Sequence, residues 1–356
     1  MAGGDSLVVP LAQAPGRAIA GGKGASLGTL IRAGIPVPAG FAVTVGAFAA
    51  ALGAADPSGD LRAAIAALDG ADLPAVAERS GRLRAAITAA PLPGPAAAAI
   101  ADAYAALGAE PDVAVRSSAT MEDSAAASFA GLQDTYLGVR GAAAVTDAVR
   151  RCWASLYNDE SVAYRRRIGL PEDSLSMAVV VQLMVDPRCA GVMFTRSPVS
   201  GDRSVVAIEG TWGLGSALVA GDVTPDSFLI SKITGEITGR RVSAKEVTHA
   251  PAPGGAGVTV AATPDDLRER PCLSDGEIRA LAAVARRVEA HYGTPQDIEW
   301  AVLGGDAPEA DRVVLLQSRP ETVWAARDAA ASAPLAAPRA RAADHVLALF
   351  GKPRPL

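Results

Sequence analysis

Cysteine, aromatic residues and positive charge are all scarce in this sequence, and each shortage excludes a class of protein. The three cysteines, Cys152, Cys189 and Cys272, lie far apart and form no CxxC pair, which argues against a disulfide framework and a zinc site. A formal net charge of −5 argues against a general nucleic-acid-binding surface. Because only 4% of the residues are aromatic, we expect a core built mainly from alanine, valine, leucine and isoleucine.

Membrane-spanning runs and targeting signals are not evident either. The segment that most resembles a membrane span, residues 41–55 (FAVTVGAFAAALGAA), is shorter than the roughly 20 residues that cross a bilayer, so it predicts a buried strand and helix. The start, MAGGDSLVVP, has no basic region followed by an apolar one, as a secretory signal would. Together with the cysteine pattern, this predicts a cytoplasmic location.

The length of 356 residues predicts two or three packed units. Changes in composition divide the chain into an N-terminal lobe with a glycine-rich loop and helices (1–111), a central α/β lobe with a lid loop (112–198), a C-terminal lobe with a metal site (199–325) and a Pro/Ala-rich tail (326–356). In the tail we expect one short helix, and the tail is either a docking arm or a linker.

The central lobe carries the clearest secondary-structure patterns. They predict a strand at DVAVRSS (112–118) and one long helix over residues 144–169. Two apolar runs follow, SMAVVVQLMV (176–185) and AGVMFTRSP (190–198), and we expect them to pair as a hairpin across DPRC.

Lys23 lies in a glycine-rich segment, IAGGKGASLG. Glycines let the backbone approach a ligand closely, and the free N–H groups of the helix that follows attract anions. The segment therefore indicates phosphate binding, although a solvated lysine on a glycine turn has the same appearance. It is not a Walker A motif, because the GxxxxGK[ST] spacing is missing.

Arg116 ends the apolar run VAV, at the position where a strand presents ligand-binding groups. The segment SFAGLQDTY (128–136) then offers a glycine turn at Gly131 and a hydroxyl at Thr135, which suits a flap over phosphates. Hydroxyl groups at 117, 118 and 120 would add hydrogen-bond donors. The alternative is an ion pair between Arg116 and Glu122 or Asp123.

Two segments near the end of the C-terminal lobe have polar side chains on one face. Strand alternation places Asp297 and Glu299 together in DIEWAV, and Gln317 and Arg319 together in VVLLQSRP. If these strands pair through GGDAPEAD, a carboxylate, an amide oxygen and a guanidinium converge, as a hard cation and a polyphosphate require. The alternative is a polar, exposed sheet face.

The segments TWGLGS, with Trp212 and Ser216, and TPDSF (224–228) stay ambiguous. Glycines around a tryptophan make either a loop that a ligand approaches or a packed turn, and periodicity does not distinguish them.

Taken in order, GGKGASLGTLIRAGIPVPAGF, VAVRSSATMEDSAAASFAGLQDTYL, VVVQLMV, AGVMFTRSPVSGDR, WGLG, VTPD, DIEWA and LLQSRP resemble the N-terminal nucleotide-binding domain of one family. It comprises phosphoenolpyruvate synthase, pyruvate phosphate dikinase and rifampicin phosphotransferase, and the resemblance covers about residues 8–323. In chain layout the sequence also resembles the stand-alone ATP-binding subunit of phenylphosphate synthase.

The resemblance implies an α+β ATP-grasp fold, in which two lobes close on Mg-ATP beside an N-terminal helical subregion. It implies that Lys23, Arg116 and Arg319 hold phosphates and act in catalysis. It further implies that Glu299 and Gln317 bind Mg²⁺ and phosphate oxygens. The remaining implied nucleotide-binding residues are Gly131 and Thr135 in a phosphate-covering loop, and Gln182 near the hinge between the lobes. One departure is Ser216, because relatives often have an acidic residue directly after WGLG.

By resemblance, the chain is expected to transfer the β-phosphoryl group of ATP to a histidine on a partner subunit, with release of AMP and phosphate. The partner would also hold the final acceptor, a small molecule such as phenol. The three histidines, His249, His291 and His345, do not lie in the TGG…SH motif that carries the phosphoryl group in full-length relatives. The alternatives are an ATP-sensing regulatory module without catalytic activity and a direct small-molecule kinase.

Overall fold

The computed structural model describes residues 6–121, 134–253 and 257–332. The chain divides into two units, Met1–Glu321 and Thr322–Leu356. In the described residues the strands are β1 (Val8–Pro10), β2 (Gly40–Val43), β3 (Val113–Ala119), β4 (Thr135–Val139), β5 (Met177–Leu183), β6 (Pro187–Phe194), β7 (Val205–Trp212), β8 (Asp226–Ser231), β9 (Ile237–Arg241), β10 (Val247–Pro251), β11 (Val258–Ala262), β12 (Gln296–Leu303) and β13 (Val313–Pro320).

The helices in the same residues are α1 (Arg17–Arg32), α2 (Val45–Ala55), α3 (Asp60–Ala66), α4 (Leu73–Ala89), α5 (Gly94–Ala105), α6 (Ala142–Ser155), α7 (Asp159–Arg167), α8 (Ser216–Ala220), α9 (Asp265–Arg268), α10 (Asp275–Tyr292) and α11 (Val323–Ser332). Short 3-10 helices span Leu11–Gln13, Glu172–Ser174 and Glu309–Arg312. This mixture of helices and strands confirms the predicted α+β class.

The first sheet is antiparallel and, in the described residues, has the strand order β1-β2-β5-β3-β4. Its central strand β5 is apolar from Met177 to Val181 because both faces are buried there. Val179 and Val181 face a core formed with helices α2 to α7, in which Trp153 is the largest side chain. Val180 faces the other way, against α1, which approaches closely because Gly24 has no side chain.

The second sheet is also antiparallel, with the order β13-β12-β6-β7-β8-β9 among the described residues. Helix α10 packs on one face, where Leu281 and Val288 meet Ile298 and Trp300. The alternation along β12 leaves Glu299 on the opposite face. A separate pair, β10 and β11, forms an antiparallel hairpin.

The predicted hairpin between residues 176–185 and 190–198 is wrong. Strand β5 pairs with β2 and β3 in the first sheet, whereas β6 pairs with β12 and β7 in the second. Both edges of β5 and of β6 are therefore occupied by other strands, of which β2, β3 and β12 are distant in sequence and β7 directly follows β6. The short connection, residues 184–186, carries the chain from one sheet to the other.

The predicted long helix over 144–169 is two helices, α6 and α7. The break falls at Asn158, whose extended backbone (φ −61°, ψ 146°) precedes α7. Asp159 and Glu160 occupy the first turn of α7, where negative charge complements the helix dipole.

Residues 41–55 form most of β2 and all of α2, as predicted, and Phe41 and Phe48 lie in the core. Across the described parts of the chain, no helix has both the length and the apolar character that spanning a membrane requires. The division at residues 111, 198 and 325 stays a prediction. Strands from both sides of residue 111 share the first sheet, and α11 overlaps the start of the tail, of which residues 333–356 lie outside the described residues.

Candidate functional site

The glycine-rich segment forms a kinked part of α1. Gly21 has φ +69° and ψ −178° inside the helix, and a Cβ there would lie 1.8 Å from the carbonyl oxygen of Ser118. The Ser118 hydroxyl donates to the Ala20 carbonyl at 2.8 Å and accepts from the Gly24 N–H at 3.1 Å. The hydroxyl on β3 thus replaces regular helix bonding and fixes the backbone on both sides of Lys23.

Arg116 connects the two sheets. From β3, its Nη2 donates to Glu299 Oε2 at 2.6 Å and to Gln317 Oε1 at 2.9 Å, and its Nη1 donates to the Leu316 carbonyl at 2.9 Å. The Arg116 side chain is 12% exposed. The acidic residues at 122 and 123, which were the alternative partners, lie outside the described residues.

The predicted pairing of the two polar segments is confirmed. In the β12–β13 ladder, Glu299 is opposite Gln317 and Asp297 is opposite Arg319. Arg319 Nε lies 3.3 Å from Asp297 Oδ2. All four side chains line one cavity, so the polar face is concave rather than a flat sheet surface.

The charges around Glu299 favour its ionised form. Burial alone would raise the pKa of this carboxyl, but the charge and hydrogen bond of Arg116 lower it, and Lys23 and Arg319 add to that effect. The net result is a pKa below the usual value for glutamate. The site therefore keeps a carboxylate among three cationic side chains.

Glu299 and Gln317 have the chemistry that a magnesium ion requires. A carboxylate oxygen and an amide oxygen both lie within 2.9 Å of one nitrogen, Arg116 Nη2, so they converge on one point. Oxygen donors of this kind, completed by water and phosphate oxygens, are the usual protein ligands of Mg²⁺. These residues fit the predicted metal site.

A cavity of about 660 Å³ lies between the two sheets. The predicted site residues that line it are Lys23, Arg116, Thr135, Gln182, Glu299, Gln317 and Arg319. Gly131 lies outside the described residues, and so does most of the proposed lid. A larger depression, of about 960 Å³, is lined by none of the predicted residues.

Gln182 lies at the end of β5, just before the chain crosses between the sheets. Its side chain is 2% exposed and its Nε2 donates to the Pro38 carbonyl at 3.3 Å. This hydrogen bond therefore also connects the end of β5 to the loop before β2.

Sequence reasoning missed several residues of the cavity wall. Met184, Val185, Phe194 and Leu214 supply an apolar wall, and Ser216 adds a hydroxyl. The apolar residues carry no chemical signal of their own. They could have been suspected only from their place in the VVVQLMV, AGVMFTRSP and WGLG segments.

The two ambiguous segments have largely structural roles. Trp212 is buried, and its indole N–H donates to the Leu267 carbonyl at 2.9 Å. Asp226, in TPDSF, is fully buried and accepts hydrogen bonds from Lys245 Nζ at 2.7 Å and from the Cys272 N–H at 2.8 Å. The end of TWGLGS, Leu214 to Ser216, is the part of these segments that lines the cavity, and Ser216 supplies its hydroxyl.

The fold and the site together define an α+β protein with a cavity between two antiparallel sheets, and three cationic side chains and a carboxylate line that cavity. Residues 17–338 match the family described as "Pyruvate phosphate dikinase, AMP/ATP-binding domain". The chain belongs to this family.

Curated relatives agree with that membership. Over 321 residues the chain is 44% identical to a rifampicin phosphotransferase from a Streptomyces species, a match that covers 89% of this chain and 36% of the relative. It is 43% identical over 309 residues to a probable phosphoenolpyruvate synthase from Methanothermobacter thermautotrophicus, covering 85% of this chain and 44% of the relative. A prodigiosin-synthesizing transferase, PigC, from Serratia marcescens is 41% identical over 305 residues, covering 86% of this chain and 32% of that protein. The chain thus spans less than half the length of these relatives.

Proposed function

We propose that this chain is the ATP-binding part of a dikinase-type phosphotransferase similar to phosphoenolpyruvate synthase. Mg-ATP occupies the cavity between the sheets, and the two sheets belong to ATP-grasp lobes that close on it. The β-phosphoryl group then passes to a histidine on a partner subunit, water takes up the γ-phosphoryl group, and AMP and phosphate are released. The family membership supports ATP as the nucleotide.

The convergence of Arg116, Glu299 and Gln317 carries this proposal. Arg116 Nη2, from the first sheet, lies within 2.9 Å of two oxygen ligands from the second sheet, Glu299 Oε2 and Gln317 Oε1. Such a set suits the triphosphate of a nucleotide and its divalent cation, and it disfavours a site for a neutral ligand. It also disfavours a sensor without catalytic activity, because a sensor could lose its metal ligands without penalty.

The side chains of the cavity act by positioning and by neutralising charge. Lys23, Arg116 and Arg319 hold phosphate oxygens, while Thr135 lies beside Arg116 in the β3–β4 ladder and contributes a hydroxyl. Glu299 and Gln317 hold Mg²⁺, which when bound offsets the charge of the phosphates. No residue of the described site is assigned as a covalent nucleophile.

The phosphoryl acceptor lies outside this sequence in our proposal. His249 is hydrogen-bonded to Ser216, and His291 packs edge-on against Tyr292. His291 is exposed but does not line the cavity, and neither histidine lies in the TGG…SH motif that carries the phosphoryl group in full-length relatives. We propose a separate partner subunit that carries the accepting histidine and the acceptor site. Phenol is the acceptor that we favour, from the likeness in layout to phenylphosphate synthase, and the proposed location is the cytoplasm.

Labelling of the partner tests the proposal. The purified protein is incubated with Mg²⁺ and ATP labelled at the β-phosphate, with and without extract from its source, and resolved under alkaline conditions that preserve phosphohistidine. A labelled, acid-labile band of another size that requires extract supports transfer in trans. ATP binding with neither a labelled band nor AMP overturns the transferase proposal in favour of a sensor. A labelled small molecule formed without extract and without a labelled protein favours a direct kinase.

The Glu299→Ala variant tests the proposed metal site in the same assay. This variant loses a metal ligand while the cationic residues remain, so we expect measurable ATP binding and no labelled partner. Glu78→Ala, which removes an exposed glutamate on α4, is the matched control and should label the partner as wild type does. Unchanged labelling by Glu299→Ala would remove the metal-site assignment.

A further inference from the structure

Ser216 and His249 form a hydrogen-bonded pair at the wall of the cavity. Ser216 Oγ lies 3.0 Å from His249 Nδ1, and Ser216 lines the cavity. His249 lies on β10 and is 6% exposed. The contact is held by the backbone as well, because the Leu214 N–H donates to the His249 carbonyl at 2.8 Å. Neither side chain has a role in the site described above.

The surroundings of His249 determine which of its nitrogens carries the proton. Its Nε2 is buried and, among the described residues, has no hydrogen-bond partner, while the Asp222 carboxylate lies 3.4 Å away. A negative oxygen at that distance favours an N–H on Nε2 and disfavours a lone pair. In the neutral imidazole, Nδ1 is then the acceptor, and the Ser216 hydroxyl is the donor.

This assignment determines whether the Ser216 hydroxyl offers the cavity a hydrogen-bond donor or an acceptor. A serine hydroxyl has one proton and two lone pairs. Because the proton is directed to His249, the lone pairs remain for a ligand. Ser216 therefore presents an acceptor to the cavity, and it matches a ligand group that donates.

The position of Ser216 along the second sheet indicates which part of a nucleotide it meets. On β6, Phe194 is opposite Asp297, Val192 is opposite Glu299, and Ala190 is opposite Ala301. A Cβ on Gly215 would lie 3.7 Å from Ala190. Ser216 thus lies on the side of Glu299 that is remote from Asp297 and Arg319, toward the crossing at 184–186. Phosphates held by Arg116 and Arg319 place the sugar and base at this end.

We propose that Ser216, oriented by His249, accepts a hydrogen bond from a ribose hydroxyl of the bound nucleotide and so discriminates ribonucleotides from deoxynucleotides. The hydroxyls are the donors of the ribose, and a deoxyribose lacks one of them, whereas the adenine amino group is the same in ATP and the two deoxynucleotides. His249 is a positioning residue, since it acts through Ser216. This inference rests on the proposed function, because it takes the ligand of the cavity to be a nucleotide.

The test measures dissociation constants of Mg-ATP, Mg-2′-dATP and Mg-3′-dATP by calorimetry. We expect the wild type to bind ATP about five- to tenfold more tightly than one of the two deoxynucleotides, which is the range for one hydrogen bond. In Ser216→Ala the ATP affinity should fall to the level of that deoxynucleotide, whose own affinity stays unchanged. Val219→Ala, on the same helix and cavity wall, should shift all three affinities by a common factor.

Variants at His249 separate positioning from packing. In His249→Asn, the amide oxygen can replace Nδ1 as the acceptor, so discrimination between ATP and the deoxynucleotide should be retained. His249→Leu removes the acceptor, and discrimination should be lost while thermal unfolding shows a folded protein. Equal loss of discrimination in both variants, with both folded, would overturn the positioning role.

The outcomes for the wild type distinguish the two proposals. Equal affinity for the three nucleotides would overturn the role of Ser216 and leave the proposed function in place. Absence of binding for all three would instead overturn the proposed function. If Ser216→Ala lowered the affinity for all three nucleotides by the same factor, the proposed contact between Ser216 and the ribose would also be overturned.

Discussion

Arg116 Nη2 and Glu299 Oε2 lie 2.6 Å apart although the two residues are separated by 183 positions in the sequence. The pair joins β3 of the first sheet to β12 of the second across the cavity. It keeps the glutamate ionised, and it places a guanidinium at the point where the proposed phosphates and Mg²⁺ meet. A ligand that brings its own cation must therefore rearrange or share this contact.

Replacement of Arg116 by lysine tests the importance of the planar guanidinium. Lysine keeps the charge, but one ammonium cannot serve Glu299, Gln317 and the Leu316 carbonyl in the same geometry. We expect the dissociation constant of Mg-ATP to rise about tenfold, as measured by calorimetry. Arg140→Lys is the control, because Arg140 binds both oxygens of Asp112 but does not line the cavity. Equal affinities in the two variants would contradict this role of Arg116.

Gly21→Ala tests the kink in α1. A Cβ at Gly21 would lie 1.8 Å from the Ser118 carbonyl oxygen, and φ is +69°, so the segment before Lys23 must move. We expect ATP affinity to fall on the order of tenfold and the free energy of unfolding to fall by about 1–3 kcal/mol. ATP calorimetry and urea unfolding measure the two effects.

Gly53→Ala is the matched substitution in a regular helix. Gly53 is exposed in α2, and a Cβ there meets no atom within 4 Å. Its replacement should raise the free energy of unfolding by about 0.5–1 kcal/mol and leave ATP affinity unchanged. If Gly21→Ala behaved in the same way, the kink would have no role in the site.

Asp226→Asn tests whether the TPDSF segment is structural. Lys245 and Asp226 are both fully buried, and the substitution leaves the lysine without a counter-charge. We expect the free energy of unfolding to fall by about 3–5 kcal/mol, measured by urea unfolding at low temperature, while the folded fraction binds ATP as wild type does. Asp306→Asn, at an exposed position, should change neither quantity. A selective loss of ATP affinity without loss of stability would assign Asp226 to the site instead.

The chemistry of the site was more predictable than the connections between strands. Alternation along β12 and β13 is enough to predict one polar face that includes Glu299 and Gln317, because a strand has a period of two wherever it pairs. Period two also makes the segments at β5 and β6 look like a hairpin. It carries no information on which sheet a strand joins, and here other strands occupy both edges of β5 and of β6, which leaves no edge for a pairing between the two.

Contacts made by small hydroxyl side chains were the least predictable part of the site. Ser118 was expected to present its hydroxyl to a ligand, but it is fully buried and bonds the backbone around Lys23. Ser216 meets His249, 33 positions later, through a contact between α8 and β10. Such pairings depend on tertiary packing, since neither residue has a local pattern that predicts the other.

The pH dependence of stability tests the ionisation of Glu299. Its pKa is lowered in the folded protein relative to a value of about 4.3 when unfolded, so its stabilising contribution is complete above the unfolded value. That contribution is lost as the pH falls through the folded pKa. We expect the difference in free energy of unfolding between wild type and Glu299→Gln to be constant from about pH 8 to 5.5 and to shrink below about pH 4.

Urea unfolding of both proteins across this range measures the difference, and the other acidic groups cancel because both proteins contain them. Glu78→Gln, at an exposed position on α4, should differ from wild type by the same small amount at every pH. A wild-type stability that instead rises relative to that of Glu299→Gln as the pH falls from 8 towards 5.5 would mean that burial outweighs Arg116 and raises the pKa of Glu299. The site would then lose its carboxylate in mildly acidic solution, and Glu299 would be a poor choice of Mg²⁺ ligand there.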